Sequence, residues 1–84
     1  MDNASFVEEA SRVFENVKGI AEATGGDLNS VVKLTVYLTD LEDFAQLNEV
    51  MMDTFTEPFP ARAAVQVSKL PRGATIEVDA IIQV

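Results

Sequence analysis

The stretch that decides the fold is VVKLTVYL, residues 31–38. Apolar and polar residues alternate along it, which predicts a half-buried strand. The apolar face carries Val32, Leu34, Val36 and Leu38, and the polar face carries Lys33, Thr35 and Tyr37. Because one face of this strand is apolar, other elements must cover it. The strand therefore predicts a sheet packed against helices.

A helical pattern lies on each side of this strand. Before it, apolar residues recur at spacings of three and four from residue 4 to residue 24, and Gly25-Gly26 supplies a stop. After it, the same spacing over residues 44–55 predicts a second helix that ends near Pro58. Both helices have one apolar stripe, so we expect both to pack on the same face of the sheet.

Two further strands are predicted after the second helix. Residues 62–67 and 74–84 alternate, and Leu70-Pro71-Arg72-Gly73 between them has the proline and glycine of a tight turn. We expect these strands to form a β-hairpin, and the first strand to reach the second through the crossover helix. The order helix, strand, helix, strand, strand gives a two-layer α/β (α+β) sandwich, a single domain over residues 1–84.

Composition narrows the classes of function. Six basic and fourteen acidic residues give a formal charge of −8, a field that repels nucleic acids and anionic membranes. Cysteine is absent, which fits a reducing, cytoplasmic location, and no apolar run approaches the roughly 18 residues of a membrane span. A domain of 84 residues buries little surface alone, so we expect a homo-oligomer.

The residues available for chemistry are few. Without His or Cys there is no imidazole base, thiolate nucleophile or usual zinc site, and the glycines form no phosphate-binding loop. A carboxylate or an arginine acting on a small polar substrate remains. In the predicted hairpin, Arg62 and Ala64 share the face opposite the helices with Glu77, in either of two registers. A ligand carboxylate could then dock on the guanidinium fork of Arg62, with Ala64 leaving room for it.

Less specific interpretations of these residues stay open. Arg62 could pair with Glu77 or Asp79 across the hairpin, and spacing alone favours that ion pair. Asn48 could be a solvated helix residue or a ligand contact. The Met51-Met52 pair is interpreted as core filler. The face opposite the helices, lined by Tyr37, Ala64 and Ile81 among polar neighbours, would be poorly covered in a monomer, which predicts self-association through that face.

Several segments together resemble a known family, the RidA/YjgF reactive intermediate (imine) deaminases. They are FENVK at 14–18, VKLTVYLTD at 32–40, FPARAA at 59–64, LPRG at 70–73 and IEVDA at 76–80. The resemblance covers nearly the whole sequence. It also implies that the usual N-terminal strands of the family, which line its site, are missing here.

The resemblance implies a chorismate-mutase-like fold, a homotrimer with sites between subunits, and no cofactor or metal. The implied reaction is hydrolysis of 2-imino acids such as 2-iminobutanoate and 2-iminopropanoate, and of their enamines, to 2-keto acids and ammonia. It implies that Arg62 binds the substrate carboxylate and that Glu77 positions the attacking water. It also places Asn48 and Ala64 in contact with the substrate. The alternative is a non-catalytic member that binds small carboxylates or a protein partner.

Overall fold

The computed structural model describes residues 3–57 and 59–83. The main elements are α1 (Asn3–Ala23), β1 (Val31–Leu38), α2 (Phe44–Thr54), β2 (Ala61–Gln66) and β3 (Ile76–Ile82). Short 3-10 turns at Leu28–Ser30, Leu41–Asp43 and Pro71–Gly73 connect them. The predicted order of helices and strands is therefore confirmed. The predicted helix end near Pro58 and the last strand residue, Val84, lie outside the described residues.

The strands of the described chain are arranged in the order β2-β1-β3. β1 runs parallel to β2, as the predicted crossover through α2 requires, and antiparallel to β3. The predicted hairpin between β2 and β3 is wrong, because these strands lie at opposite edges of the sheet. Residues 67–75 are too long a connection for a tight hairpin, and they carry the chain across to the free side of β1. The strand with the most buried residues thereby becomes the central one.

The helices cover one face of the sheet, which we call the helix face. Directly opposite residues on paired strands project to the same side, so Leu34 and Val36 of β1 share this face with Val78 and Ala80 of β3. Leu34 and Val36 are fully buried. Behind them, Phe14 of α1 packs edge-on against Phe55, with ring centroids 5.8 Å apart. The two-layer sandwich is confirmed.

The start of β1 departs from simple alternation. The pairing with β3 shifts register between Val31 and Lys33. Val31 is consequently buried, whereas Val32 is 42% exposed. The prediction that Val32 faces the core is wrong, because a register shift moves side chains to the other face.

The loop after α1 shows the predicted glycine stop. Gly25 has a φ of 94°, a conformation that residues with a Cβ rarely adopt. The backbone N–H of Gly26 donates to the carbonyl of Ala21 at 2.9 Å, which satisfies a carbonyl at the end of the helix. Near its other end, α1 is tied to the sheet by Glu9, whose carboxylate accepts from the backbone N–H and the hydroxyl of Thr75 at 2.9 and 2.8 Å.

The second face of the sheet, which we call the open face, faces away from both helices. The pairing register places nine residues on it: Lys33, Thr35 and Tyr37 of β1, Ala61, Ala63 and Val65 of β2, and Glu77, Asp79 and Ile81 of β3. Ile81 is 57% exposed. Ala64 was predicted here, but it pairs with Val36 and lies half-buried on the helix face.

Candidate substrate-binding site

Arg62 lies on the helix face, at the edge of the sheet. It pairs with Leu34 of β1, whose side chain is buried under the helices. The prediction that Arg62 faces away from the helices is wrong, because it assumed pairing with β3. The parallel pairing with β1 brings the arginine up against α2 instead.

Three residues of α2 hold the guanidinium. Nη1 donates to the side-chain oxygen of Asn48 and contacts the sulfur of Met51 at 3.6 Å. Cζ lies 4.7 Å from the ring centroid of Phe44, a cation–π contact. These partners are neutral, and β3 lies on the far side of β1. The alternative of an ion pair with Glu77 or Asp79 across a hairpin is therefore wrong.

The guanidinium keeps donors for a ligand. Within the part of the chain that the structure describes, both of its hydrogen bonds leave from Nη1. Arginine has five N–H groups in a planar fork, so Nη2 and Nε can still present two parallel donors. Two parallel donors match the two oxygens of a carboxylate. The contacts with α2 fix the orientation of the guanidinium plane, and with it the direction of the Nη2 and Nε donors.

An open pocket of about 510 Å³ lies beside the guanidinium. It is lined by Arg62, Asn48, Met51, Met52, Phe59 and Pro60. Met52 and Phe59 are 69% and 47% exposed, unusually high values for large apolar side chains. The pocket thus combines one cationic end with apolar walls.

The predicted site residues are distributed unequally around this pocket. Asn48 contacts Arg62 directly. Ala64 is two residues along the same face, packed against the core rather than lining the pocket. Glu77 pairs with Tyr37 and lies on the open face. Arg62 and Glu77 of one chain are on opposite sides of the sheet, so the predicted surface shared by Arg62, Ala64 and Glu77 is wrong.

Glu77 belongs to a polar group on the open face. The Tyr37 hydroxyl donates to a carboxylate oxygen of Asp79 at 3.2 Å. This hydrogen bond, together with the negative charge of Asp79 and a smaller effect of Glu77, raises the pKa of Tyr37 above its ordinary value of 10.0. The open face thus bears two carboxylates on β3, at the edge of the sheet opposite the apolar side chains of β2.

The sequence interpretation identified Arg62 and Asn48 but missed the other residues around the guanidinium and the pocket. Phe44, Asn48 and Met52 recur at i, i+4 and i+8, so they line one side of α2, and that spacing could have shown them. Met51 is buried, as expected of core filler, and also contacts Arg62. The same interpretation of Met52 is wrong. Phe59 and Pro60 adjoin the arginine in sequence, but nothing in the pattern indicates that they face α2.

Residues 3–57 and 59–83 contain neither a metal-binding cluster nor a membrane-spanning helix. This range contains no group of three or more acidic, His or Cys side chains placed to hold a metal ion. Its helices include none with the length and apolar character to cross a bilayer.

Comparison with known proteins places this geometry in a family. The family model described as Endoribonuclease L-PSP matches residues 1–84. A RutC family protein of Pyrococcus abyssi is 55% identical over 74 residues, which cover 88% of this chain and 58% of that protein. The 2-iminobutanoate/2-iminopropanoate deaminase of Mus musculus is 48% identical over 75 residues, 89% of this chain and 56% of that enzyme.

A solved structure agrees with the fold. The crystal structure of RidA from the Antarctic bacterium Psychrobacter sp. matches with a TM-score of 0.88 and 57% identity, covering 89% of this chain and 61% of that one. The chain therefore spans less than two thirds of the length of these relatives. The family model and the relatives together confirm the resemblance seen in the sequence: the chain belongs to the endoribonuclease L-PSP family, which includes RidA.

Proposed function

We propose that the chain hydrolyses 2-imino acids, such as 2-iminobutanoate and 2-iminopropanoate, to 2-keto acids and ammonia. The observation that carries the proposal is the arginine of the FPAR segment, which lines a pocket and is held through Nη1 by the neutral side chains of Asn48 and Met51. The deaminase name of relatives such as the mouse enzyme supports the same reaction. Because the chain spans 56% of that enzyme, its activity is a proposal here.

Substrate would be fixed by its carboxylate. The Nη2 and Nε donors of Arg62 would bind the two oxygens, and Asn48 and Phe44 keep the guanidinium in place before substrate arrives. The adjacent imine carbon is electrophilic, so water adds to it and gives a carbinolamine. Cleavage of the C–N bond then releases ammonia and leaves the 2-keto acid. A carboxylate that orients the water and takes its proton would speed the addition.

Glu77 could supply this carboxylate only from another copy of the chain. In its own chain it lies across the sheet from Arg62. The open face that carries Glu77 also carries exposed apolar residues, including Val65 and Ile81, which self-association would bury. We propose that Arg62 of one copy and Glu77 of a neighbour form one cleft in a homo-oligomer, a trimer by resemblance to the family.

A coupled assay tests the reaction. Purified chain is added to threonine dehydratase, and the initial rate of 2-ketobutyrate formation is compared for wild type, Arg62→Ala and Arg72→Ala. We expect wild type and Arg72→Ala, altered in the remote turn Pro71–Gly73, to accelerate the appearance of 2-ketobutyrate, and Arg62→Ala to lose at least about 99% of that acceleration. If all three proteins are folded and equally inactive, the proposal that the chain is an enzyme is refuted.

Mixed assemblies test the shared cleft. Arg62→Ala and Glu77→Gln, each inactive alone, are co-expressed with different tags and purified as mixed oligomers. If each cleft takes Arg62 from one copy and Glu77 from the next, about one cleft in three of every mixed trimer regains both native residues. Activity would return to a similar fraction of wild type. A mixed oligomer as inactive as each variant alone would refute the shared cleft.

The alternative function is carboxylate binding without turnover. It is favoured by the separation of Arg62 from Glu77 within the chain. Binding of 2-ketobutyrate that depends on Arg62, in a protein that leaves the coupled assay unchanged, would select this alternative. Solution mass supplies a second criterion, because a monomer would leave the proposed cleft unformed.

A further inference from the structure

The pocket beside Arg62 has an apolar wall made of Met51, Met52, Phe59 and Pro60. Met51 is buried against the core, while Met52 and Phe59 remain largely exposed. Large apolar side chains exposed together in a concave site are informative, because single exposed ones are common but clusters mark binding surfaces. The cation and the wall line the same pocket, so one small ligand can touch both.

The size of the pocket exceeds what the smallest substrates need. The side chain of 2-iminopropanoate is a methyl group and that of 2-iminobutanoate an ethyl group. A pocket of about 510 Å³ lies in the range that accommodates much larger ligands. With their carboxylates on Arg62, these two imines would leave most of the apolar wall in contact with water.

We infer that the apolar wall is a side-chain subsite, and that the chain prefers 2-imino and 2-keto acids with long, flexible aliphatic side chains. The inference rests on the proposed function in one respect, which is that the ligand carboxylate binds Arg62. Methionine is unbranched and adapts its shape, so Met51 and Met52 can follow side chains of different length. Met52 is the specificity-determining residue, since a ligand would cover its exposed surface.

Binding of straight-chain 2-keto acids tests the subsite without requiring turnover. Dissociation constants are measured by calorimetry for 2-ketobutyrate, 2-ketopentanoate and 2-ketohexanoate. We expect affinity to rise about fourfold with each added methylene that the wall buries. Met52→Gln keeps the length and helix propensity of the side chain but makes it polar, and should reduce this gain in affinity to about twofold or less per methylene.

The matched control is Ile20→Gln, which makes an exposed apolar residue of α1 polar outside the pocket. It should keep the full gain per methylene, and circular dichroism should show both variants folded. A wild-type series without any gain would overturn the subsite. So would an unchanged gain in both Met52→Gln and Phe59→Ser, because the wall would then contribute nothing.

The same measurements separate this inference from the proposed reaction. A clear gain in affinity per methylene, in a protein that hydrolyses no imine, would support the subsite and refute the proposed enzyme activity. Turnover of 2-iminobutanoate in a protein whose affinity is indifferent to chain length supports the enzyme and overturns the subsite. Arg62→Ala should weaken all three ligands by a similar factor, and unaltered binding in this variant would overturn the carboxylate anchor on which the subsite depends.

Discussion

The two faces of the sheet share one central strand but differ in burial, because the helices cover only one of them. On the helix face, β1 contributes Leu34, Val36 and Leu38 to a core that α1 and α2 close completely. On the open face, the neighbouring residues Thr35 and Tyr37 lie among exposed side chains, including the paired acids of β3. Alternate residues of one strand therefore differ in burial: one set lies in the core, and the other lies on a face that the helices leave uncovered.

The candidate site follows the same division. Arg62 is positioned by the helix face, through Asn48 and Phe44, and needs nothing from another copy to be held in place. Glu77 is presented by the open face, where it cannot reach Arg62 of its own chain. The two proposed roles, carboxylate binding by Arg62 and water activation by Glu77, therefore rest on different faces of the sheet. The following predictions test that division, beginning with the largest expected effect.

Shortening single side chains of β1 should distinguish the two faces of the sheet most strongly. Leu34→Ala removes a fully buried side chain at the centre of the helix face, so it should lower the free energy of unfolding by about 2–5 kcal/mol. Thr35→Ala, the next residue on the open face, should lower it by less than about 1 kcal/mol. Urea unfolding at the same protein concentration measures both. Equal losses would mean that the open face is as well packed as the core.

A charge on the open face should act on assembly rather than on folding. Ile81→Asp adds a third acid beside Glu77 and Asp79, so it should weaken self-association about a hundredfold. Light scattering across a dilution series measures the effect, and circular dichroism monitors the fold. Ile20→Asp on α1 is the control, with an equal change in charge. If both variants assemble as wild type does, the open face is not the interface.

Replacing the guanidinium by an ammonium should affect only ligand binding. Arg62→Lys keeps the positive charge but loses the planar fork and its fit to Asn48, so the dissociation constant for 2-ketobutyrate should rise about tenfold. Arg72→Lys in the turn before β3 should leave that constant unchanged. Unfolding free energies should stay similar in both. Equal affinity of Arg62→Lys and wild type would reduce the role of Arg62 to its charge.

The smallest effect concerns the polar group of the open face. The hydrogen bond to Asp79 raises the pKa of Tyr37, so Asp79→Asn should lower the midpoint of the tyrosine titration. Tyr37 is the sole tyrosine in the sequence, so its ultraviolet absorbance reports this group alone. The control is Glu42→Gln, an acid outside this group. A midpoint that rises or stays fixed in Asp79→Asn would contradict the hydrogen bond.

The sign of the associated pH dependence follows from the direction of the shift. Because the pKa of folded Tyr37 is above its unfolded value, its hydrogen bond stabilises the fold fully below the ordinary value of 10.0. That contribution is lost as pH rises through the folded pKa. Wild type should therefore lose more stability than Asp79→Asn across this alkaline window, in unfolding curves recorded at matched pH.

Local sequence signals predicted the elements well but not their pairing. The alternation in β1 from Lys33 onward, the apolar spacing of α1 and the Gly25 stop all reflect forces that act within a few residues, and each was found where expected. The hairpin failed because Leu70-Pro71-Arg72-Gly73 looks like a tight turn whether or not the flanking strands pair. Whether β2 and β3 pair depends on the position of β1 in the sheet. Strand order is set by contacts between distant parts of the sequence, which a local pattern does not report.

The error in pairing propagated to the site. Placing β2 beside β3 put Arg62 and Glu77 on one surface, whereas pairing with β1 puts the arginine under α2. The family signature still identified Arg62 and Asn48 as a pair worth testing, because a motif records which residues act together without recording which face they occupy. The spacing of Phe44, Asn48 and Met52 indicates one side of α2, but their position next to Arg62 depends on the pairing of β2 with β1.

The position of β1 at the centre of the sheet also has a kinetic consequence. Leu34 pairs with Arg62, 28 residues further along, and with Ala80, 46 residues further along. Each pairing requires closure of a long loop before its contacts can stabilise anything. α1 and α2 can form from local contacts within microseconds, but the sheet must wait for both distant strands. Folding of this small domain should therefore be slower than its helical content suggests, with the apolar side of β1 exposed in the interval.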